Sequence, residues 1–161
     1  MNVQEKILTM LEQDARLTPA QLADMAELSV AEVTDIIREL EYNHTILGYR
    51  TLIDWDKTDK DSVTALIEVK ITPQKGMGFD EIARQIYMHH QVESVYLMSG
   101  GFDLTVIISG RSMRDVARFV SEQLAPMENI LSTATHFILK KYKEQGVEFD
   151  PAENDIREVM M

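Results

Sequence analysis

Over the first forty positions, apolar residues recur every three or four. Val3, Ile7, Leu8 and Leu11 predict an amphipathic helix over about residues 2–13, with its apolar stripe inward. Leu22, Met25 and Ala26 predict a second, shorter helix, and Val33, Ile36, Ile37 and Leu40 a third. Thr18-Pro19-Ala20-Gln21 opens the second. The Thr18 side chain can accept from the Gln21 amide while the Gln21 side chain reaches back, and Pro19 takes the tolerant first helical position. Ser29-Val30-Ala31-Glu32 repeats the capping box after only Glu27 and Leu28. Two capped helices joined by so short a turn describe a helix-turn-helix, with an ordinary three-helix bundle as the competing reading. Beyond them Thr45 to Ile53 (TILGYRTLI) alternates and is β-prone, which predicts a wing or a short strand leading out of the head.

The period then changes from helical to strand. After a polar run, Asp54 to Asp61, the residues Val63, Ala65, Ile67, Val69 and Ile71 share one face of a strand, with Thr64, Glu68, Lys70 and Thr72 opposite. Pro73 to Gly78 breaks it, and Phe79, Ile82, Ala83, Ile86 and Tyr87 form a helical stripe. Val92 to Ser99 and Phe102 to Ser109 read as strands around Gly100-Gly101. A helix follows with Met113, Val116, Ala117, Val120 and Leu124 inward, and a last strand runs from Ile130 to Lys141. The order β-α-β-β-α-β is the ferredoxin-like arrangement, so the fold class is α+β: a winged helix-turn-helix followed by a βαββαβ domain. The expected domains are 1–58 with the linker, 59–145, and a tail over 146–161. On the sheet face away from the helices, Leu66, Tyr96, Met98 and Ile107 are apolar. A sheet with helices on one side only is polar on the other unless something covers it, which predicts a second copy of the chain there.

Charge complicates this picture. The chain of 161 residues has a formal net charge of −11. Residues 1–58 hold Lys6, Arg16, Arg38, Arg50 and Lys57 against eleven acids, a net of −6, so the head is no less acidic than the rest. Phosphate binding rests on Lys and Arg, so this balance opposes affinity for DNA. With 45 % hydrophobic and 27 % charged residues the composition is that of a globular chain. There is no run long enough for a membrane span and no signal-peptide pattern, and no Cys for a disulfide or thiolate site; the expected address is cytoplasmic.

Helix-turn-helix, short linker and βαββαβ domain together resemble the Lrp/AsnC family of feast-or-famine regulators, whose second domain is the RAM domain. The residues that carry the resemblance are ILTMLEQDARLTPAQLADMAELS, the segment holding Leu40, Glu41 and Ile46 to Tyr49, the SGGFDL turn at Ser99 to Leu104, and STATHFILKKYK; together they span about residues 2–143. The resemblance implies a transcription regulator, dimers joined through the second domain, further assembly up to octamers, and an amino acid or related metabolite bound between dimers. Two features depart from the family pattern. His44 stands just past the third helix where Gly is usual, and Asn43 or His44 can take the left-handed conformation that Gly takes freely. The third helix also carries Glu32, Asp35, Glu39 and Glu41 against Arg38 alone.

In a helix-turn-helix the N-terminal part of the second motif helix meets base edges, which selects Val30, Ala31, Thr34, Asp35 and Arg38. Arg38 suits a bidentate contact to guanine or a phosphate; equally it can be a solvated charge pairing with Asp35 or Glu41. Lys6, Arg16, Arg50 and Lys57 are candidate phosphate contacts. Weak single contacts are compatible with tight assembly when several heads engage one DNA, so an acidic head suits a higher oligomer. For the effector, Gly100-Gly101-Phe102-Asp103 offers bare backbone amides for a carboxylate and an Asp for an ammonium, the two ends of an α-amino acid. The competing reading is a plain two-residue hairpin turn. Tyr96, Met98, Ser99, Thr133 and Thr135 complete the expected effector set.

No Ser-His-Asp arrangement, P-loop, dinucleotide fingerprint or metal-ligand spacing occurs among His44, His89, His90, His136 and the acids, so neither catalytic residues nor a cofactor or metal is expected. Two alternatives stand beside the regulator. One is an enzyme resembling the haem-pathway decarboxylases on this scaffold, for which only His136 sits in the second-domain sheet. The other is a metabolite-sensing interaction module that does not bind DNA.

Overall fold

Side-chain caps define where the first three helices begin. Asn2, Thr18 and Ser29 each accept from the amide three residues on, while Glu5, Gln21 and Glu32 reach back to the cap amide. The helices are α1 (Val3–Gln13), α2 (Pro19–Ala26) and α3 (Val30–Tyr42). Both expected boxes form, with Gln21 Oε1 accepting from Thr18 N at 2.9 Å and Glu32 Oε2 from Ser29 N at 2.9 Å. The Asn2 box is a third that periodicity does not reveal. Each cap is worth about 1 kcal/mol, enough to set helix starts in a small head.

The structure, a computed structural model, describes residues 2–72, 74–76 and 78–150. Pro73 in the expected break, and residues 151–161 of the expected tail, lie outside them. The chain divides into two compact units between Ile53 and Asp54.

Ile7, Leu11, Leu22, Ala23 and Val33 form the buried cluster of the first unit, with Ile36, Ile37 and Ile46 packed against it. Two expected core residues face outward: Val3 is 45 % and Met25 51 % exposed. A two-turn helix has room for one narrow stripe, and Ala23 beside Leu22 takes the place expected for Met25. The α2–α3 turn is closed by Glu27 in the left-handed region (φ 59°), with Leu28 N–H donating to Ala23 O at 3.0 Å. His44 takes the same conformation (φ 59°), which is how the chain turns without the usual Gly. Residues 45–54, where a wing or a short strand is expected, make no strand pairing among the described residues of one subunit. Alternation supplies only a face, and a strand also needs an edge to pair with, which the three helices do not offer.

The second unit has β1 (Val63–Ile71), α4 (Phe79–Tyr87), β2 (Val92–Leu97), β3 (Leu104–Gly110), α5 (Met113–Phe119) and β4 (Ile130–Phe137). The sheet order is β2-β3-β1-β4, with all three pairings antiparallel. This is the expected βαββαβ arrangement. Ala65, Ile67, Val69 and Ile71 of β1 meet Leu104, Val106 and Ile108 of β3, and Ile82 and Ile86 of α4 join Val116, Phe119 and Leu124 in one core. Phe119, three positions after the buried Val116, takes the place in the core expected for Ala117, which is exposed; beyond it the chain continues as a π-helical turn (Val120–Leu124) closed by Ala125 N–H to Val120 O at 2.7 Å. The extra residue in that turn brings Leu124, five positions after Phe119, into the same core.

Two borders differ from expectation. The polar run from Asp54 belongs with the second unit: it forms a short 3-10 turn (Trp55–Lys57), and Lys57 Nζ donates to Phe149 O at 3.2 Å. Near the end, β5 (Lys143–Glu144) and β6 (Val147–Glu148) make a hairpin across Gln145-Gly146, so the expected tail start at 146 falls inside a paired element. Gln145 (φ 49°) and Gly146 (φ 83°) both have positive φ, as a tight two-residue hairpin requires.

Candidate nucleic-acid interface and effector loop

The inward stripe of α3 is Val33, Ile36, Ile37 and Leu40, so the opposite face carries Ala31, Thr34, Asp35 and Arg38. These four lie at the spacing of one helical face and are the residues the sequence selects for base edges. Thr34 Oγ1 donates to Val30 O at 2.7 Å, which leaves its lone pairs outward. Arg38 Nη1 donates to Asp35 Oδ1 at 3.1 Å, with the two side chains 73 % and 75 % exposed.

The acids of this helix are less uniform than their count suggests. Glu32 accepts from both the amide and the hydroxyl of Ser29, the latter at 2.7 Å. The hydroxyl, then the amide, hold its carboxyl below the usual value, and the charge sits at the positive end of the helix. Glu41 Oε1 accepts from Tyr49 Oη at 2.9 Å. Burial, and then that carboxylate, push the phenol above its usual value, so the pair stays a hydrogen bond with the proton on Tyr49 at any ordinary pH. Glu39 is exposed and has no ion pair among the described residues.

The other cations are dispersed. Arg16 lies 3.6 Å from Asp14 and is 92 % exposed; Lys6 and Arg50 have no ion pair among the described residues. Lys57 is 3.3 Å from Asp54 and holds Phe149, a role within the second unit that occupies it. The cations of the first unit are therefore Lys6, Arg16, Arg38 and Arg50.

The effector candidates separate into two groups. Tyr96 pairs with Thr105 and lies on the sheet face away from the helices, and Met98, Ser99, Gly100, Gly101 and Asp103 follow at the same end of the β2–β3 hairpin. Thr133 and Thr135 pair with Val69 and Ile67, and so share the helix-covered face. Strand order also puts β2 and β4 at opposite edges of the sheet. The expectation that Tyr96, Met98, Thr133 and Thr135 line one pocket is thus corrected for a single subunit. Alternation assigns faces within a strand but not which strands are neighbours.

The Gly-Gly turn is wider than a two-residue hairpin. Met98 N–H donates to Asp103 O at 2.8 Å, so Ser99 to Phe102 form a four-residue loop. Gly100 has a φ of +149°, where a side chain is strained, whereas Gly101 is unconstrained and a Cβ there meets nothing within 4 Å. Asp103 has work in the fold: its Oδ2 accepts from Ile71 N at 2.8 Å, while its own N–H donates to Val69 O at 3.0 Å. Because β3 begins only at Leu104, no backbone carbonyl faces Ile71, and the Asp103 side chain replaces it. Its Oδ1 has no hydrogen bond among the described residues. Asp103→Ala is expected to cost about 1–3 kcal/mol by stranding that amide. Asp103→Asn, which keeps an acceptor, recovers most of it, and urea midpoints of the three proteins measure the difference.

On the open sheet face, Leu66, Ile107 and Tyr96 are interleaved with polar pairs. Thr64 and Ser109 hydroxyls lie 3.1 Å apart, and His136 Nε2 is 3.6 Å from Glu68 Oε2. Tyr96 is 54 % and Met98 41 % exposed. Among the described residues no cluster of His, Asp and Glu could hold a metal ion, and no helix is long and apolar enough to cross a membrane.

Two family profiles match the chain: a winged helix-turn-helix DNA-binding domain over residues 2–43 and the Lrp/AsnC ligand binding domain over residues 64–148. An uncharacterized HTH-type transcriptional regulator of Bacillus subtilis, YugG, is 49 % identical over 156 residues, 96 % of this chain and 94 % of that one. The leucine response regulatory protein of Mycobacterium tuberculosis has the same fold, with a TM-score of 0.77 at 21 % identity over 90 % of this chain and 96 % of that one. So does a transcriptional regulator of Neisseria meningitidis solved as a complex with L-Met, with a TM-score of 0.72 at 21 % identity over 89 % of this chain and 92 % of that one.

Proposed function

Because the chain belongs to the Lrp/AsnC family of DNA-binding transcription regulators that answer to a small molecule, we propose how it does so. It reads DNA through the outer face of α3, joins copies of itself through the open face of its sheet, and takes an amino acid as effector. A regulator of this kind works beside the genome, so its address is the cytoplasm.

The observation that carries the DNA-reading assignment is the outward face of α3. A short capped turn presents Ala31, Thr34, Asp35 and Arg38 together at the start of the second motif helix, the part that enters a major groove. For the effector, the bare backbone at Gly101 supports a close approach that the loop's own conformation does not demand. The Neisseria regulator solved with L-Met supports an amino acid as the class of ligand, by analogy of fold. For assembly, Leu66, Ile107, Tyr96 and Met98 supply apolar area that one subunit leaves uncovered.

Selection of genomic fragments with the purified protein at low salt, with and without pooled amino acids, tests the reading. Recovery of a pseudo-palindromic site with half-sites about one helical turn apart is the expected outcome; random recovery sinks it. Salt titration adds a bound. With four candidate cations per head, the slope of log affinity against log salt for one head stays above about −3.6. A steeper slope on a long duplex therefore counts the heads engaged, and an identical slope on one half-site argues against several heads acting together.

A further inference from the structure

Resting on the DNA-reading assignment above, we propose that Asp35 is a positioning residue for Arg38, and that through Arg38 it fixes recognition of one guanine in each half-site. Arg38 is the single cation of α3, and it shares the outward face with Ala31 and Thr34. A guanidinium on an exposed helix face ordinarily samples many rotamers and contacts phosphates and bases alike. Here Asp35 Oδ1, one turn back, takes a single N–H from Nη1 at 3.1 Å. Among the described residues Nε and Nη2 have no partner, so the fork keeps the two adjacent donors that guanine O6 and N7 require. Two other carboxylates of the helix are engaged elsewhere: Glu32 is turned back onto Ser29 and Glu41 onto Tyr49.

The arrangement also accounts for an acid on a surface that must approach phosphates. An isolated carboxylate there repels DNA in every register. A carboxylate paired to the reading arginine costs non-specific affinity while narrowing the geometry in which that arginine is useful, so discrimination rises as general binding falls. The two quantities move in opposite directions when Asp35 is removed, which a merely structural role for an exposed residue does not produce.

The test uses the full-length chain, the duplex that the wild type selects, and the same duplex changed one base pair at a time. Arg38→Ala is expected to erase preference at one base pair per half-site, a loss of about tenfold or more in discrimination. Asp35→Ala is expected to reduce preference at that same base pair by about fivefold while raising affinity for an unrelated duplex severalfold at low salt. Asp35→Asn, whose amide oxygen still accepts from the guanidinium, restores part of the preference. In the double variant the preference matches that of Arg38→Ala alone. If the wild type selects a site and Asp35→Ala keeps every base preference, or alters a different base pair from Arg38→Ala, the proposal is overturned and the DNA-reading assignment stands. If the wild type selects no site, both fall.

Discussion

Ile67→Ala is expected to remove about 2–5 kcal/mol from the stability of the second unit. Ile67 is fully buried in β1, the strand with β3 on one side and β4 on the other, and it pairs with Val106 and Thr135. Truncation leaves a cavity beneath Ile82, Ile86 and Val116, whose positions are set by two helices and cannot all move in. Since a domain holds about 5–15 kcal/mol in total, one such loss consumes much of the margin. The chain has a single Trp, and Trp55 belongs to the second unit, so its fluorescence in urea follows that unit alone. The midpoint should fall with little change in slope. The head has its own cluster around Ile7, Leu22 and Val33, and far-UV dichroism should show its helices persisting to higher urea. An unmoved Trp55 midpoint would contradict the placement of β1 at the centre of the core.

Ile107→Lys is expected to leave the subunit folded and take the assembly apart. Ile107 lies on the opposite face of β3 from Val106 and Ile108, pairing with Leu66 and Ser94 across the sheet. Its side chain adds nothing to the buried core of its own subunit, so dichroism and the Trp55 midpoint should hold near the wild-type values. In an assembly that covers this face the new ammonium is buried against apolar neighbours of a second copy. A hot-spot loss of about 2–4 kcal/mol, roughly 30- to 1000-fold in the association constant, follows from that burial. Sedimentation of both proteins at the same low micromolar concentration reads the difference. An oligomer that survives the substitution places the contact elsewhere. The Glu68–His136 pair beside it sets the polar part of the same surface.

Features governed by near neighbours along the chain are legible in the sequence. The Thr18–Gln21 and Ser29–Glu32 boxes are interactions over three residues, and the strand over Val63 to Ile71 is a strict alternation with one buried face. His44 in the left-handed region is likewise a local matter: a turn must follow α3, and Asn and His tolerate that conformation better than most. Arg38 and Asp35 are legible as a candidate pair at helical spacing. Spacing alone admits Glu41 as well, and it is the bond from Tyr49 that takes Glu41 away.

Where the outcome depends on what lies across space, the same reasoning misleads. The segment from Thr45 to Ile53 has the composition of a strand but pairs with no strand among the described residues of one subunit. Thr133 and Thr135 face the helices, and lie at the far edge from Tyr96, because β1 and β3 intervene. Asp103 has the chemistry of a free ligand, yet it substitutes for a carbonyl opposite Ile71, a residue 32 positions earlier. The π-helical turn after α5 puts five positions between the buried Phe119 and Leu124, and nothing in the periodicity of the helix marks the inserted residue.

Spacing and capping within a few residues are enough to set the order of elements, the two-part organisation, the helix-turn-helix and the outward set on α3. Three further properties come from contacts beyond that range: which strands adjoin, the turning of Glu41 from Arg38 onto Tyr49, and which effector candidates share a face. Neither a period nor a propensity specifies the partner across a sheet, so these emerge only when the chain has folded.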